Sequence, residues 1–455
     1  MIIIAELDPQ KSAKIDASLG LLNNVPSAVL NRLNNKLNLI GDANLIEVTI
    51  LYRDEPIEVK KLIEGLGGTF QDLGFNFAIV GIPVDRIVDL ARSNSIQYIE
   101  LPQNLYTSDL TSNRESCVPQ ATSTYNVNGK GILIGFIDSG IDYTHPAFRN
   151  SDRTTRIEYI YDLSDGGKVY NKEKINEALE ATDPYSIVPS IDITGHGTHV
   201  AGIACGGGNI PNSYKGVATE ASIAMVKGTR GNWVLSTQIM KGLKFLLDKS
   251  KELNMPLVVN ISLSTNNGAH NGSSLLEQYI RTIANLERIT IVIAAGNEGD
   301  SAHHTGGTFE IIQNQSFSIA RDESLIVINL YKSILPDITI NIRSSTGEAS
   351  GNINIREGYF QGNVGRDRYD IYVSGPKPFE LNNEIQIVLS PITSNYITEG
   401  LWTISIDKIN NYEGVYSIWL PVSEGLNQKT KFLSPVASNT LGIPATVDNI
   451  IAVGS

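Results

Sequence analysis

Four short apolar runs constrain the fold of this chain more than any other feature. The runs are Gly131 to Ile137, Ser222 to Val226, Leu257 to Ile261 and Ile289 to Ala294. Runs this continuous are typical of strands that are buried on both faces of a sheet. Segments with helical spacing, 236–249 and 274–286, lie between them. Strands that alternate with helices in this order predict an α/β domain built on a doubly wound parallel sheet.

Two other regions of the chain have different patterns. Residues 1–109 contain a β-α-β-α-β alternation, which predicts a small α+β domain of the ferredoxin-like kind. Residues 308–432 contain many short alternating stretches separated by Gly, Asn, Pro and Ser, which predict an all-β sandwich or jelly roll. Residues 450–453 return to a buried-strand pattern. The β region is therefore predicted to be inserted into an α/β domain made of residues 110–307 and 433–455.

The composition argues against several classes of partner. The 455 residues carry a net charge of −12, so we expect neither nucleic acid nor an anionic membrane to bind. The N-terminus, MIIIAELDPQK, has no basic segment and meets acids at once, so no signal peptide is predicted. Cys117 and Cys205 stand outside any Cys/His cluster. We therefore predict no metal site, and we expect Cys205 to be buried.

The first polar motif follows the first apolar run. Asp138 lies in the segment IDSGID (137–142), at the carboxyl end of a predicted buried strand. Parallel α/β proteins place their functional sites at that end of the sheet. Taken alone, however, Asp138 is better explained as a turn residue or a helix cap than as a catalytic group.

The second motif contains two histidines. His196 and His199 lie in GHGTHVAG (195–202), where the glycines permit a close approach to the start of a helix. Their spacing suggests a metal site, but no third ligand stands nearby and the HExxH pattern is absent. We therefore favour a general base at a helix N-terminus, oriented by a carboxylate.

The third motif ends the last apolar run. Asn297 lies in AAGNEG (294–299), where small residues leave room for a substrate backbone. Its amide is suited to donate a hydrogen bond to a developing oxyanion. Without the other two motifs, an ordinary loop asparagine would be the preferred interpretation.

Together, the three motifs resemble the subtilase family of serine proteases, in the family's chain order. The resemblance implies that Asp138 orients His196, that His196 transfers the proton, and that Asn297 stabilises the tetrahedral intermediate. His199 would then be a structural member of the motif.

The resemblance extends to substrate and propeptide. The substrate-lining strand of the family matches three residues here, Ser262, Leu263 and Ser264, of which Ser264 stands where the family usually has glycine. Residues 1–109 resemble the subtilase propeptide, whose tail lies in the protein's own active-site cleft. Self-cleavage is accordingly expected in a short region consisting of Tyr106, Thr107, Ser108 and Asp109.

The subgroup is indicated by two longer segments. GFIDSGIDYTHPAFRN (135–150) and GNEGDSAHHTGG (296–307), with the β insertion directly after the second, resemble the Csp-type subtilases of clostridial spore germination. That resemblance implies a protein substrate, namely the zymogen of a spore cortex hydrolase, and a cytoplasmic or spore-associated location. No cofactor is expected. Subtilases often bind calcium, but no acidic loop is distinctive enough to nominate ligands.

One family motif is not found. The nucleophile of subtilases lies in a Gly-Thr-Ser-x-Ala-x-Pro stretch, and by resemblance Ser455 lies upstream of it. Three explanations remain open: a truncated record of an active protease, a fold completed by a separate polypeptide, or a pseudoprotease that binds or signals. The intact Asp138 and His196 favour the first. As written, the chain is predicted not to hydrolyse peptides, because triad members act as a unit.

Overall fold

The computed structural model describes residues 13–37, 45–107, 124–125, 127–208, 210–211, 215–229, 233–309 and 312–454. The chain divides into two compact units, each made of three segments. The first unit consists of Met1–Pro102, Thr265–Gln278 and Asn297–Thr446, and the second of Gln103–Ser264, Tyr279–Gly296 and Val447–Ser455. The units group those parts of the chain that contact each other most. Their boundaries differ from the predicted domain boundaries, which stay predictions.

The described residues form α-helices and strands, with the helices before residue 287. The α-helices are α1 (Ala17–Asn24), α2 (Ser27–Leu37), α3 (Pro56–Gly65), α4 (Ile87–Arg92), α5 (Lys172–Glu180), α6 (His196–Cys205), α7 (Ser236–Leu253) and α8 (Leu275–Leu286). The first thirteen strands are β1 (Leu45–Tyr52), β2 (Thr69–Gly74), β3 (Phe77–Pro83), β4 (Ile96–Glu100), β5 (Asn104–Thr107), β6 (Leu133–Asp138), β7 (Ile157–Asp162), β8 (Lys168–Asn171), β9 (Ser222–Lys227), β10 (Trp233–Leu235), β11 (Leu257–Ile261), β12 (Leu263–Ser264) and β13 (Ile289–Ala294). The remaining strands are β14 (His304–Thr308), β15 (Ile312–Ile319), β16 (Ile326–Lys332), β17 (Ile338–Arg343), β18 (Ile353–Asn354), β19 (Gly358–Val364), β20 (Asp367–Ser374), β21 (Asn383–Pro391), β22 (Gly400–Lys408), β23 (Val415–Trp419), β24 (Lys431–Phe432) and β25 (Ile451–Val453). None of the helices in these stretches is long and apolar enough to cross a membrane.

The N-terminal region forms an antiparallel sheet with the order β2-β3-β1-β4. The α+β prediction is confirmed, but the predicted β-α-β-α-β order is wrong in one respect, because β2 precedes β3. Strand β2 has the sequence TFQDLG, and only Leu73 of it is buried. An edge strand with one buried side chain has no apolar alternation, so its sequence does not predict a strand.

The α/β region contains a seven-stranded sheet with the order β25-β13-β11-β6-β9-β7-β8. All neighbouring strands are parallel except the hairpin of β7 and β8. This confirms the predicted parallel sheet, and β25, which follows the β insertion in the chain, pairs with β13 of this sheet. Because the strands are parallel, the carboxyl ends of β6, β11 and β13 lie along one edge of the sheet, where sites are expected.

The β insertion is a sandwich of two antiparallel sheets. One sheet has the order β14-β23-β16-β21-β20-β19 and the other has the order β18-β17-β22-β15-β24. Side chains from both sheets form one core, including Ile328, Ile371 and Ile387 from the first and Phe317, Ile340 and Trp402 from the second. The sequence predicts seven of these strands. It does not predict the other four. Glycines and exposed positions interrupt the alternation of β14 and β19, and β18 and β24 are only two residues long.

The N-terminal region and the β insertion share a hydrophobic core within the first compact unit. Leu19 and Leu22 of α1 belong to the same buried cluster as Tyr372 and Val388 of the insertion. Gly20 permits this contact, because a Cβ there would lie 2.1 Å from the Tyr372 ring. The two regions therefore fold against each other as one body of packed side chains.

Candidate active site

Asp138 is the last residue of the buried strand β6. Its side chain is 0% exposed, and its Oδ1 accepts a hydrogen bond from the backbone N–H of Ser139 at 2.6 Å. A fully buried carboxylate is costly unless a partner stabilises its charge. The Asp138 carboxylate has such a partner in the side chain that faces it.

That group is His196, the first residue of α6. Nδ1 of His196 lies 2.7 Å from Oδ1 of Asp138. Gly195 precedes the helix with a φ of 76°, a left-handed conformation that lets the chain enter α6 with the imidazole turned toward the strand end. Because a carboxylate accepts, Nδ1 carries the proton, and Nε2 of the neutral ring is the basic nitrogen.

Gly197 explains how closely the helix approaches the strand end. A Cβ at this position would lie 2.2 Å from the carbonyl oxygen of Gly140 and 3.1 Å from the Asp138 side chain. The backbone N–H of Gly197 also donates to Ser139 Oγ at 2.8 Å. A glycine directly after the histidine is thus required for the short contact between His196 and Asp138.

A second carboxylate, Asp192, ties the two elements together. Its Oδ1 accepts from Ser139 Oγ at 2.7 Å, and its Oδ2 accepts from the N–H and the hydroxyl of Thr198 at 2.8 and 2.6 Å. Burial opposes its ionisation, but these bonds and the Gly195 N–H outweigh burial and lower the pKa of Asp192. The sequence analysis missed this residue, although its place four residues before His196 was a usable signal.

Asn297 lies in the loop after β13 and belongs to the first compact unit. Its Nδ2 donates to Oε1 of Glu424 at 3.4 Å, and its carbonyl oxygen accepts from Ser301 Oγ at 3.1 Å. Its predicted role as oxyanion donor stays a prediction, since Asp138 and His196 belong to the second unit.

The predicted substrate strand is occupied by a neighbouring segment of the chain. Strand β5 lies between β10 and β12 and pairs antiparallel with both. Leu263 pairs with Thr107, and Ser264 pairs with Tyr106. The third predicted residue, Ser262, is buried and donates from its hydroxyl to Asn260 Oδ1 at 3.0 Å.

The segment before β5 is also held in place. The backbone N–H of Gln103 donates to Ser236 Oγ at 3.0 Å, and the Ser236 N–H donates to the Gln103 carbonyl at 2.8 Å. Leu105 of β5 is fully buried. Of the predicted cleavage region, Tyr106 and Thr107 lie in β5, whereas Ser108 and Asp109 fall outside the described residues. Strand β10, which pairs with the other side of β5, was not predicted.

The thiol of Cys205 is not a candidate nucleophile. Cys205 is fully buried at the end of α6, and burial raises its pKa to about 12. Among the residues with described positions, no group of three or more His, Cys, Asp or Glu side chains is arranged to hold a metal ion.

Comparison with known proteins decides the family. A model of the subtilase family matches residues 129–346, and a model of the Csp protease B prodomain matches residues 13–103. The structure of the CspB protease of Clostridium perfringens is 53% identical, covers 76% of this chain and 73% of its own, and has a TM-score of 0.72. The chain is a Csp-type member of the subtilase family. The predictions of family, subgroup and fold class are confirmed.

Curated relatives match a smaller part of the molecule. The PI-type proteinase of Lactococcus lactis subsp. cremoris is 29% identical over 236 residues, which are 49% of this chain and 12% of that protein. A subtilisin of Bacillus sp. (strain TA39) is 30% identical over 178 residues, which are 39% of this chain and 36% of that protein. The chain thus spans well under two thirds of the length of these relatives. The comparisons therefore establish the subtilase fold and the prodomain, and they do not identify a substrate.

Proposed function

We propose that the protein is a serine endopeptidase in which His196 is the general base and Asp138 orients and stabilises it. The observation that carries this proposal is the 2.7 Å contact between Nδ1 of His196 and the buried Oδ1 of Asp138. In this pairing, Nε2 takes the proton of an attacking serine hydroxyl, and the carboxylate stabilises the imidazolium that forms. The same proton then passes to the leaving amine as the peptide bond breaks.

The remaining catalytic roles follow from the subtilase assignment. Asn297 is proposed to donate its side-chain amide to the oxyanion of the tetrahedral intermediate. The serine, whose oxygen bonds to the scissile carbonyl to form the acyl-enzyme, is proposed to lie in the family motif Gly-Thr-Ser-x-Ala-x-Pro. That motif is not found among the 455 residues, so the proposal concerns the complete encoded protein.

The substrate is proposed to be an extended polypeptide bound as β5 is bound. Backbone pairing on both sides of β5 supplies affinity without regard to side chains, and the buried Leu105 supplies specificity for an apolar residue at that position. Strand β5 directly follows the region matched by the prodomain model. It is therefore proposed to be the prodomain tail, with self-cleavage in the predicted region that begins at Tyr106.

The biological substrate is proposed from the Csp-type assignment. A spore cortex hydrolase zymogen, cleaved during germination by a cytoplasmic or spore-associated protease, fits this subgroup. Incubating such a zymogen with the protein and mapping the new N-terminus tests this step. A cut in a segment that offers an apolar residue at the position matching Leu105 would support it.

A pseudoprotease that binds a partner through its prodomain and β insertion is the alternative. The encoded sequence beyond Ser455 discriminates between the two: the serine motif favours the protease, and a substituted serine favours the pseudoprotease. The ordered Asp138–His196 pair supports the protease.

The direct test is labelling of the complete protein with a fluorophosphonate probe after release of the prodomain. We expect labelling that falls at least about 100-fold in His196→Ala, because the serine then loses its base. His199→Ala is the matched control, since this histidine lies on the same helix outside the pair, and it should label like the wild type. An unlabelled wild-type protein from which the prodomain has been removed would overturn the protease proposal.

A further inference from the structure

The residue after Asn297 is a buried carboxylate that is hydrogen-bonded to three other residues. Glu298 is 3% exposed. Its Oε1 accepts from the backbone N–H and the hydroxyl of Ser423, both at 3.0 Å. Its Oε2 lies 2.6 Å from Nδ1 of His303 and accepts from Nδ2 of Asn266 at 3.4 Å. Both oxygens are thus satisfied, as a buried carboxylate requires.

The partners of Glu298 come from three separate stretches of sequence. Ser423 begins the short 3₁₀ turn Ser423–Gly425 at the end of the β insertion. Asn266 follows the predicted substrate residue Ser264 by two positions, and its amide also donates to the carbonyl oxygen of Leu420 at 3.2 Å. The Glu298 carboxylate therefore links the loop that carries Asn297 to Ser423 of the β insertion and to Asn266, which follows the predicted substrate strand.

His303 makes hydrogen bonds through both of its ring nitrogens. His303 is 2% exposed, and its Nε2 lies 3.1 Å from the carbonyl oxygen of Thr430. Because a carbonyl oxygen only accepts, Nε2 carries a proton, and a further proton lies between Nδ1 and Glu298. His303 thus donates to Thr430 and is joined to Glu298 by a short hydrogen bond.

The same turn also contacts the asparagine itself. Oε1 of Glu424 accepts from Nδ2 of Asn297 at 3.4 Å. A carboxylate only accepts, so this contact favours the orientation of the Asn297 amide in which the NH₂ group, and not the oxygen, faces Glu424. Adjacent residues of one turn, Ser423 and Glu424, thus bond to the side chains of Glu298 and Asn297, respectively.

We propose that Glu298 is a positioning residue: its buried carboxylate, bonded to Ser423, His303 and Asn266, fixes the loop that presents the Asn297 amide to the oxyanion. The β insertion is in this way a working part of the oxyanion site. This inference rests on the proposed protease function and on the role of Asn297 in it. An oxyanion donor displaced by about 1 Å loses up to about 100-fold in rate, so a loosened loop has a measurable cost.

The test compares variants of the complete protein in the hydrolysis of a quenched fluorescent peptide with the sequence of residues 103–112. In Glu298→Ala, the Ser423 N–H and His303 Nδ1 lose their acceptor, and we expect kcat to fall at least tenfold with KM changed less than twofold. Glu298→Gln should restore most of kcat, because its carbonyl serves Ser423 and its NH₂ serves the neutral imidazole of His303. Asp367→Asn is the matched control, since Asp367 is an equally buried carboxylate of the insertion that accepts from the Thr398 N–H.

A double variant separates positioning from general stability. In the Asn297→Ala background, Glu298→Ala should cause no further fall in kcat, because the group that it positions is gone. A full additional tenfold fall there, or an unchanged kcat in Glu298→Ala alone, would overturn the proposal.

Two further outcomes separate this inference from the function that it assumes. If Asn297→Ala leaves kcat unchanged, the oxyanion assignment of Asn297 is wrong. If Asn297→Ala lowers kcat and Glu298→Ala does not, only the positioning role of Glu298 is wrong. Hydrogen exchange of residues 295–301 needs no activity. It should be at least tenfold faster in Glu298→Ala and unchanged in Asp367→Asn, and equal rates in all three proteins would refute the loop-fixing role.

Discussion

Glu100 offers the sharpest test of the electrostatics in the first compact unit. It ends β4, is 5% exposed, and both of its oxygens accept from the N–H of Leu275, at 3.0 and 3.1 Å. The charged groups that act on it are Lys377, Asp16 and Glu384, and Lys377 is itself bonded to Glu384 at 2.7 Å. Three buried carboxylates thus share one ammonium.

Burial of Glu100 determines the sign of the pH dependence. Burial, with added repulsion from Asp16 and Glu384, raises the pKa of Glu100 to about 8, against the pull of Lys377. The folded state therefore holds this proton more tightly than the unfolded state. Its contribution to stability is complete below about pH 4.5 and is lost as the pH rises toward 8. A difference of about 3.5 pH units corresponds to about 5 kcal/mol when the loss is complete.

Glu100→Gln removes this ionisation and keeps an acceptor for the Leu275 N–H. We expect the variant and the wild type to have similar free energies of unfolding at pH 4.5, and the variant to be more stable by about 4 kcal/mol near pH 8. Urea unfolding, followed by the fluorescence of Trp402 and Trp419 in the same unit, measures the difference. Glu58→Gln is the control, since this exposed side chain on α3 contacts Lys61 at the surface.

Parallel stability curves for wild type and Glu100→Gln between pH 4.5 and 8.5 would refute the reasoning. So would a variant that is less stable at pH 8. Either result would mean that Lys377 keeps Glu100 ionised in the folded protein, and that burial together with the repulsion from Asp16 and Glu384 is weaker than this attraction.

Three further predictions concern the α/β region. Asp138→Asn should lower kcat for peptide hydrolysis about 10⁴-fold with an unchanged melting temperature, because the amide favours the wrong imidazole tautomer. Gly197→Ala should destabilise the protein and abolish fluorophosphonate labelling, because its Cβ would lie 2.2 Å from the Gly140 carbonyl oxygen; Gly202→Ala on the same helix meets nothing within 4 Å and should gain up to about 1 kcal/mol. The guanidinium of Arg156 donates to the carbonyl oxygens of residues 147, 205 and 221. Arg156→Met should therefore cost about 3 kcal/mol or more in thermal unfolding, and a melting temperature within a degree of wild type would contradict this.

The sequence by itself determined the central strands of the parallel sheet, and the resemblance of its motifs to subtilases implied the Asp138–His196 pair. Strands β11 and β13 begin and end where the apolar runs do, because a strand buried on both faces leaves a continuous apolar signature. Asp138 and His196 were placed at a strand end and a helix start by residues within a few positions of each. Such short-range patterns are written in neighbouring side chains, so they need no knowledge of the fold.

Only the tertiary structure decided what distant segments do to one another. The sequence predicts neither the exposed edge strand β2 nor the contribution of Asp192 to the active site. It does not predict that Glu298 is buried and bonded to Ser423, or that Glu100 and Asp16 both interact with the ammonium group of Lys377. The sequence shows the same residue type whether the carboxylate is exposed to water or buried against three hydrogen-bond donors. Its pKa and its role depend on which groups, hundreds of residues away, the packed core brings within hydrogen-bonding distance.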